Sequence, residues 1–153
     1  MQMKKTATAA VFSAALAVGL GFQSNEAAAQ AATCENALAE VSKVLQLNQK
    51  FANAHDVGVA CSKAGNKPAV ATRNFLDRFV KTYKIEEKGP AEAAAASRCP
   101  VALRSVARIL HINAKFANDK DIGVACNKAK GRGALASRNF LDRFVKNVLK
   151  LKS

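Results

Sequence analysis

The chain has 153 residues and a formal net charge of +13, because 24 Lys and Arg residues stand against 11 Asp and Glu residues. It has no Trp, one Tyr and eight Phe, which excludes a Trp-rich core and favours helices rich in alanine and aliphatic residues. The positive charge favours anionic partners such as nucleic acid, anionic lipid, polysaccharide or an acidic protein. A role in solubility alone is the alternative.

The first 31 residues have the three parts of a secretory signal peptide. Lys4 and Lys5 precede an apolar run from about Ala7 to Phe22, and the small-residue stretch AAAQA follows. The apolar run is shorter than the ~20 residues that a bilayer span needs, so we expect cleavage rather than a retained anchor. The prediction is an exported protein, periplasmic or extracellular, without a transmembrane span in the mature chain.

Residues 34–84 and 99–149 form an internal repeat at a constant offset of 65. Of the 51 aligned positions 28 are identical, and the nine residues RNFLDRFVK occur in both copies. A unit of this size is only marginally stable alone, so we expect the two copies to share one core. The predicted organisation is a signal peptide at 1–31, helical repeat 1 at 32–85, a linker with a short helix at 86–98 and helical repeat 2 at 99–153.

Four cysteines, Cys34, Cys61, Cys99 and Cys126, occupy equivalent positions in the two copies. Export brings them into an oxidising compartment, where disulfides persist. The repeat favours Cys34 with Cys61 and Cys99 with Cys126, and the competing symmetric pairing is Cys34 with Cys99 and Cys61 with Cys126. A metal site is disfavoured because the spacing lacks the C-x-x-C pattern of zinc sites. No metal and no cofactor is predicted.

The favoured pairing requires the first helix to break. A continuous helix from Cys34 to Asn53 would be ~29 Å long, and the following residues could not return Cys61 to its start. The Cα atoms of a disulfide lie within ~7 Å of each other. Asn48, which the second copy also has, is the favoured cap for a second helix, and a start at Asp56 is the alternative.

Single residues predict where the first helix of each copy begins and how the second helix packs. The first helix is predicted to begin at Thr33 as a possible N-cap, and its counterpart at Pro100, which suits the first helical position. Gly58 and Gly123 lie in the apolar part of the second helix. We interpret both as packing glycines, at which another backbone approaches closely.

The third helix of each copy contains RNFLDRFVK. At 100° per residue one side carries Arg73, Asp77 and Lys81 at i, i+4 spacing, and the other side is apolar. We therefore interpret Asp77 and Asp142 as parts of charge ladders along their own helices, not as catalytic carboxylates. The Phe-rich third helices are expected to pack the two copies together. The predicted apolar side consists of Phe75, Leu76, Phe79, Val80 and Tyr83.

The candidate functional residues are basic and lie mainly where the copies differ. The loops GNKP and KGRG lead into the third helices, and free N–H groups at a helix amino terminus beside cations suit an anion. A solvated polar turn is the alternative. In the first helix of the second copy, arginines replace Ala39 and Lys43. The predicted anion-binding residues are Lys128, Lys130, Arg132, Arg104, Arg108, Lys63 and Lys67.

The predicted fold class is all-α: a tandem duplication of a three-helix unit, packed into one helical domain with two disulfides, after a cleaved signal peptide. Neither His55 nor His111 is repeated, and we find no nucleophile–base pair, nucleotide loop or haem motif, so no enzyme activity is expected. The predicted function is binding of an anionic macromolecule or an acidic protein in the cell envelope or outside the cell. The alternative is a periplasmic protein-interaction module, such as a chaperone or an immunity factor, that uses an apolar groove between the copies.

Overall fold

The computed structural model describes residues 29–85 and 93–151, with side chains from residue 98 onward in the second range. These residues form six α-helices and no strand, so the predicted all-α class is confirmed. Most of the predicted signal peptide, most of the linker and the last two residues lie outside the described residues. The helices are α1 (29–44), α2 (Ala54–Lys63), α3 (Pro68–Thr82), α4 (Ala93–Ile109), α5 (Asp119–Lys128) and α6 (Gly133–Asn147).

Two helices of the second half have bounds at a constant offset from two helices of the first. The bounds of α5 and α6 are those of α2 and α3 moved by 65 residues, which is the offset of the sequence repeat. Buried residues from all six helices belong to one hydrophobic cluster. Between the halves, α3 and α6 are in extensive contact. Among the described residues, no helix has the length and apolar character needed to cross a membrane.

The starts of α1 and α4 differ from the prediction. Thr33 lies inside α1, where its Oγ1 donates a hydrogen bond of 2.7 Å to the carbonyl of Ala29. Helix α4 begins at Ala93 and continues through Pro100, so Pro100 is not its first residue. The reason is the alanine-rich stretch that precedes each cysteine, because alanine is the strongest helix former. The short helix predicted for the linker is therefore the first part of α4.

Two disulfides connect the first and second helices of each half. Cys34 pairs with Cys61 and Cys99 with Cys126, with Cα separations of 5.9 and 5.8 Å. All four cysteines are buried. The structure thus has the pairing that the repeat favoured, and α1 breaks before Asn48, as this pairing requires.

The break and the restart use different asparagines. Gln46 adopts a positive φ of 53° at the end of α1. Asn48 then forms a turn in which its Oδ1 accepts a hydrogen bond of 2.9 Å from the N–H of Lys50. Helix α2 is capped by Asn53, whose Oδ1 accepts a hydrogen bond of 2.9 Å from the N–H of Asp56.

Both predicted starts of α2, Asn48 and Asp56, are therefore wrong. Asp56 lies in the first turn and accepts a bond of 2.7 Å from Nδ2 of Asn53, so cap and carboxylate support each other. Asn118 and Asp121 repeat this arrangement at α5.

The aromatic rings cluster within each half, not between the halves. The ring of Phe51 contacts those of Phe75 and Phe79 edge-on, at centroid distances of 5.0 and 5.3 Å. The second half repeats this cluster around Phe116. Tyr83, predicted to lie in the core, is 44% exposed because α3 ends one residue before it. The third helices do pack together, but the ring contacts lie elsewhere.

Gly58 and Gly123 are not packing glycines. A methyl group at Gly58 would meet only the Glu35 carboxylate, at 3.3 Å, and one at Gly123 would meet nothing within 4 Å. No other backbone approaches either position that closely. Gly133, at the start of α6, lies in apolar contact with the first half, because a methyl group there would lie 3.3 Å from Leu45 Cδ2.

Candidate anion-binding site

The turn between α5 and α6 contains three of the predicted basic residues. Lys128 lies in the last turn of α5, Lys130 follows with a φ of 51°, and Arg132 is the N-cap residue of α6. Lys128 and Lys130 are exposed and Arg132 is partly buried. In the first half, Lys63 and Lys67 flank the corresponding turn and are both exposed. The structure thus brings these residues together as two basic turns.

The backbone of the α5–α6 turn is used to close α5. The N–H of Gly131 donates to the carbonyl of Cys126 at 2.9 Å, and the N–H of Arg132 donates to that of Ala129 at 3.1 Å. These bonds satisfy carbonyls at the carboxyl end of the helix, as a left-handed residue after a helix typically allows. The N–H groups of Gly131 and Arg132 are therefore not available to an anion.

The amino termini of α3 and α6 differ in the donors that they leave. No side chain caps either helix. In α3 the first residue is Pro68, which has no N–H. In α6 the first residue is Gly133, whose N–H is one of the donors that the first turn of a helix cannot satisfy internally. The α5–α6 turn therefore offers more backbone N–H donors than the α2–α3 turn.

The two predicted arginines of α4 are not equivalent. Arg104 donates to Asp119 Oδ1 from both Nε and Nη2, each at 2.9 Å, so its charge is compensated within the protein. Arg108 is exposed and forms no ion pair with the described residues. Of the two, Arg108 is the one with charge available to a partner.

The Arg104–Asp119 pair also explains a difference between the halves. In the first half the corresponding residues are Ala39 and Ala54, and both line an open pocket of about 300 Å³ between α1 and the start of α2. Glu35 and Lys43 also line it. Two alanines in one copy aligned with an arginine and an aspartate in the other are the sequence feature that indicates this difference.

Lys128 also borders a cleft between α5 and α6. The cleft has a volume of about 270 Å³ and is lined by Lys128 with Asn139, Asp142 and Arg143, above Ala125 and Phe140. Arg143 is fixed there, because it pairs with Asp121 at 3.5 Å and its guanidinium lies 5.8 Å from the ring centre of Phe116. Lys128 has no ion-pair partner among the described residues.

The repeated RNFLDRFVK residues form ion pairs across α3 and α6. Arg73 Nη1 lies 3.1 Å from Asp142 Oδ1, and Arg138 Nη1 lies 3.4 Å from Asp77 Oδ1. Advancing along α3 from Arg73 to Asp77 moves backward along α6 from Asp142 to Arg138, so the helices are antiparallel. The prediction that each arginine pairs with the aspartate of its own helix is therefore wrong. The lysine contacts are as predicted, with Lys81 at 2.6 Å from Asp77 and Lys146 at 2.7 Å from Asp142.

A cleft of about 400 Å³ lies along these ion pairs and is larger than the pocket beside α1 and the cleft beside Lys128. It holds four cationic side chains and two carboxylates, so its walls have a net charge of +2. Its lining residues are Arg73, Asn74, Asp77, Lys81, Arg138, Asp142 and Lys146.

Burial differs between the two arginines of this cleft. The Arg73 side chain is 10% exposed, whereas that of Arg138 is 29% exposed. In both, Nε is buried without a hydrogen-bond partner. Burial alone would raise the pKa of Asp142, but hydrogen bonds from Lys146 and Arg73, with their positive charges, hold that pKa below its ordinary value.

The described ranges, 29–85 and 93–151, contain no cluster of three or more His, Cys, Asp or Glu side chains that could hold a metal ion. His55 and His111 are both exposed and lie in different halves. No protein-family model matches the chain, and the curated proteins and the solved structures contain no significant match.

Proposed function

We propose that this chain is an exported protein, built by tandem duplication of a three-helix unit, that binds an anionic partner in the cell envelope or outside the cell. The partner class is a polyanion, an anionic lipid surface or an acidic protein. Export is supported by the three-part pattern at residues 1–31 and by the two disulfides, which persist in oxidising compartments. Duplication is supported by α5 and α6, which repeat α2 and α3 at the sequence offset.

The observation that carries the binding proposal is the pair of exposed, unpaired lysines at the α5–α6 turn. Lys128 and Lys130 have no carboxylate partner among the described residues, and they lie beside the uncapped start of α6. Among the described residues, six ion pairs engage four aspartates and six of the 20 Lys and Arg residues. Exposed lysines outside these pairs, such as Lys128 and Lys130, attract anions over long range.

The proposed surface is the α5–α6 turn with Lys128, Lys130 and Arg132. Lys63 and Lys67 form a second basic turn, and Arg108 on α4 is a separate exposed cation. Arg104 is left out of the surface because Asp119 compensates its charge. Exposed charges more than ~8 Å apart are largely screened from each other at physiological salt. Binding should therefore depend on the local grouping of these cations more than on the net charge of the chain.

The test compares two doubly substituted variants of the mature, oxidised chain with equal changes in charge. Lys128→Glu with Lys130→Glu alters the proposed surface, and Lys50→Glu with Lys115→Glu alters exposed lysines outside it. Binding to a heparin-like polyanion, to duplex nucleic acid and to anionic vesicles is measured at low and at physiological salt. We expect the first variant to lose about tenfold or more in affinity, and the second much less.

Equal losses in both variants would show that only net charge matters and would reject the proposed surface. Absence of binding to all three probes at physiological salt would reject a polyanion and an anionic lipid surface as the partner. A response to one probe alone would identify the partner class.

A further inference from the structure

We propose that the cleft between α3 and α6 binds one small oxyanion with two negative charges, such as sulfate or a phosphate monoester. This site goes beyond the proposed function, since it uses residues of RNFLDRFVK and none of the basic-turn lysines. The two proposals stand or fall separately.

The net positive charge of the cleft favours an anion. Asp77 contacts Lys81 and Arg138, and Asp142 contacts Lys146 and Arg73, so each carboxylate is shared by two cations. One positive charge remains on each side, and both border the same cleft. A net excess of one sign in a concave site attracts ions of the opposite sign. A dianion neutralises both excess charges at once.

Two arginines of the cleft have hydrogen-bond donors without a partner. The Nε atoms of Arg73 and Arg138 are buried and have no partner. Buried polar groups without a protein partner are uncommon, and where they occur a bound ion or water often satisfies them. The guanidinium group presents its donors as a planar fork that matches the oxygens of phosphate and sulfate. In each arginine the ion pair uses Nη1, so Nε–H remains as a donor without a protein partner.

The cleft is large enough for the anion, and its lysine side chains are long and exposed enough to contact it. The cleft volume of about 400 Å³ equals that of about a dozen water molecules at ~30 Å³ each, enough for a tetrahedral oxyanion with several waters. The side chains of Lys81 and Lys146 are 75% and 48% exposed, so their ammonium groups can turn toward an anion. The amide of Asn74, also exposed, lines the same cleft.

The reciprocal geometry sets the stoichiometry. Arg73 and Arg138 take equivalent roles, as do Lys81 and Lys146. An anion between the two helices is contacted by both halves of the chain. One anion per chain is therefore expected, and corresponding lysines should contribute about equally to the affinity.

The test uses the mature, oxidised chain at constant ionic strength, with chloride as the background anion. Sulfate and glycerol phosphate are titrated and followed by calorimetry and by backbone amide shifts. We expect saturable binding of one anion per chain. Lys81→Gln and Lys146→Gln should each weaken it about tenfold, and the double variant should abolish it. Lys50→Gln with Lys115→Gln removes the same charge elsewhere and should change the affinity less than twofold.

The pH dependence separates the two anions. A phosphate monoester gains its second charge near pH 6, so its affinity should rise between about pH 5 and pH 7.5, whereas that of sulfate should stay constant. Circular dichroism shows whether each variant is folded.

Several outcomes overturn the proposal. They are the absence of saturable binding at constant ionic strength, an affinity unchanged in Lys81→Gln with Lys146→Gln, and equal weakening in the control variant. The Lys128→Glu and Lys130→Glu variant should retain small-anion binding, which keeps failure of this site distinct from failure of the proposed surface.

Discussion

Arg73 of α3 and Asp142 of α6 form an ion pair of 3.1 Å that recurs, with corresponding residues exchanged, as Arg138 and Asp77 at 3.4 Å. Reciprocal contacts of this kind are typical of interfaces between two equivalent subunits. Here they join two halves of one chain. The pairs differ in burial, since Arg73 is the less exposed arginine, and this difference can be tested.

Removing Arg73 should destabilise the protein more than removing Arg138. Removing either arginine leaves an aspartate that is about one-third exposed and still pairs with a lysine, so loss of the ion pair itself should cost about 1 kcal/mol or less in both variants. Arg73→Ala also removes a side chain that is almost fully buried, so we expect it to lower the free energy of unfolding by more than Arg138→Ala, which should cost about 1 kcal/mol. Urea denaturation at neutral pH measures both, and equal losses would contradict the difference in burial.

The lowered pKa of Asp142 predicts a loss of stability in acid. A carboxyl group with a lower pKa in the folded chain stabilises the fold fully above its unfolded-state pKa, and this contribution is lost as pH falls through the folded-state pKa. The free energy of unfolding should therefore decline below about pH 4. Asp142→Asn should flatten this decline, and Lys146→Gln should reduce it, in urea denaturation repeated across the acid range. A decline of unchanged size in Asp142→Asn would be evidence against this assignment.

The two disulfides should contribute nearly equal stability. Each joins cysteines 27 residues apart, and closing a loop of this length restricts the unfolded chain by about 3.5 kcal/mol. We expect Cys34→Ala with Cys61→Ala, and Cys99→Ala with Cys126→Ala, each to lower the free energy of unfolding by about that amount. Peptide mapping without reduction should recover only these two pairs. A peptide linking Cys34 to Cys99 would disprove the pairing.

The two helical glycines offer a matched pair of stabilising substitutions. Gly123→Ala adds a methyl group with nothing within 4 Å and should gain about 1 kcal/mol from helix propensity. Gly58→Ala has the same propensity gain, but the Glu35 carboxylate, at 3.3 Å, must first move by a few tenths of an ångström. Thermal unfolding should therefore rank Gly123→Ala above Gly58→Ala. The opposite order would show that Glu35 yields freely or that Gly123 has a role in packing.

The sequence predicted the features that depend on the spacing of the cysteines and on the length of a helix. Cysteine spacing and the rise of a helix together required α1 to break, and the structure has that break. The restart was misplaced because Asn48 and Asn53 are both good caps. Asn48 forms a local turn with Lys50, and only Asn53 has a carboxylate three residues later that accepts a hydrogen bond from its side-chain amide.

The charged cleft could not be derived from spacing alone. Asp77 lies four residues after Arg73, which allows a pair within α3. Its position on the helix also allows a pair with Arg138 of α6. Both arrangements satisfy the sequence pattern equally, so the choice depends on how closely two antiparallel helices approach. Tyr83 was misplaced for a simpler reason, since helical periodicity does not show that α3 ends at Thr82.

The pattern of disulfides has a consequence for the order in which the molecule forms. As a chain emerges with its amino terminus first, Cys34 and Cys61 are both available before either cysteine of the second half, so the earliest possible bond is the native one. The Arg73–Asp142 and Arg138–Asp77 contacts join residues 69 and 61 positions apart and must wait for α6. Local contacts form faster than distant ones. Oxidation within each half should therefore precede the docking of α3 on α6, and the charged cleft should be among the last parts of the fold to assemble.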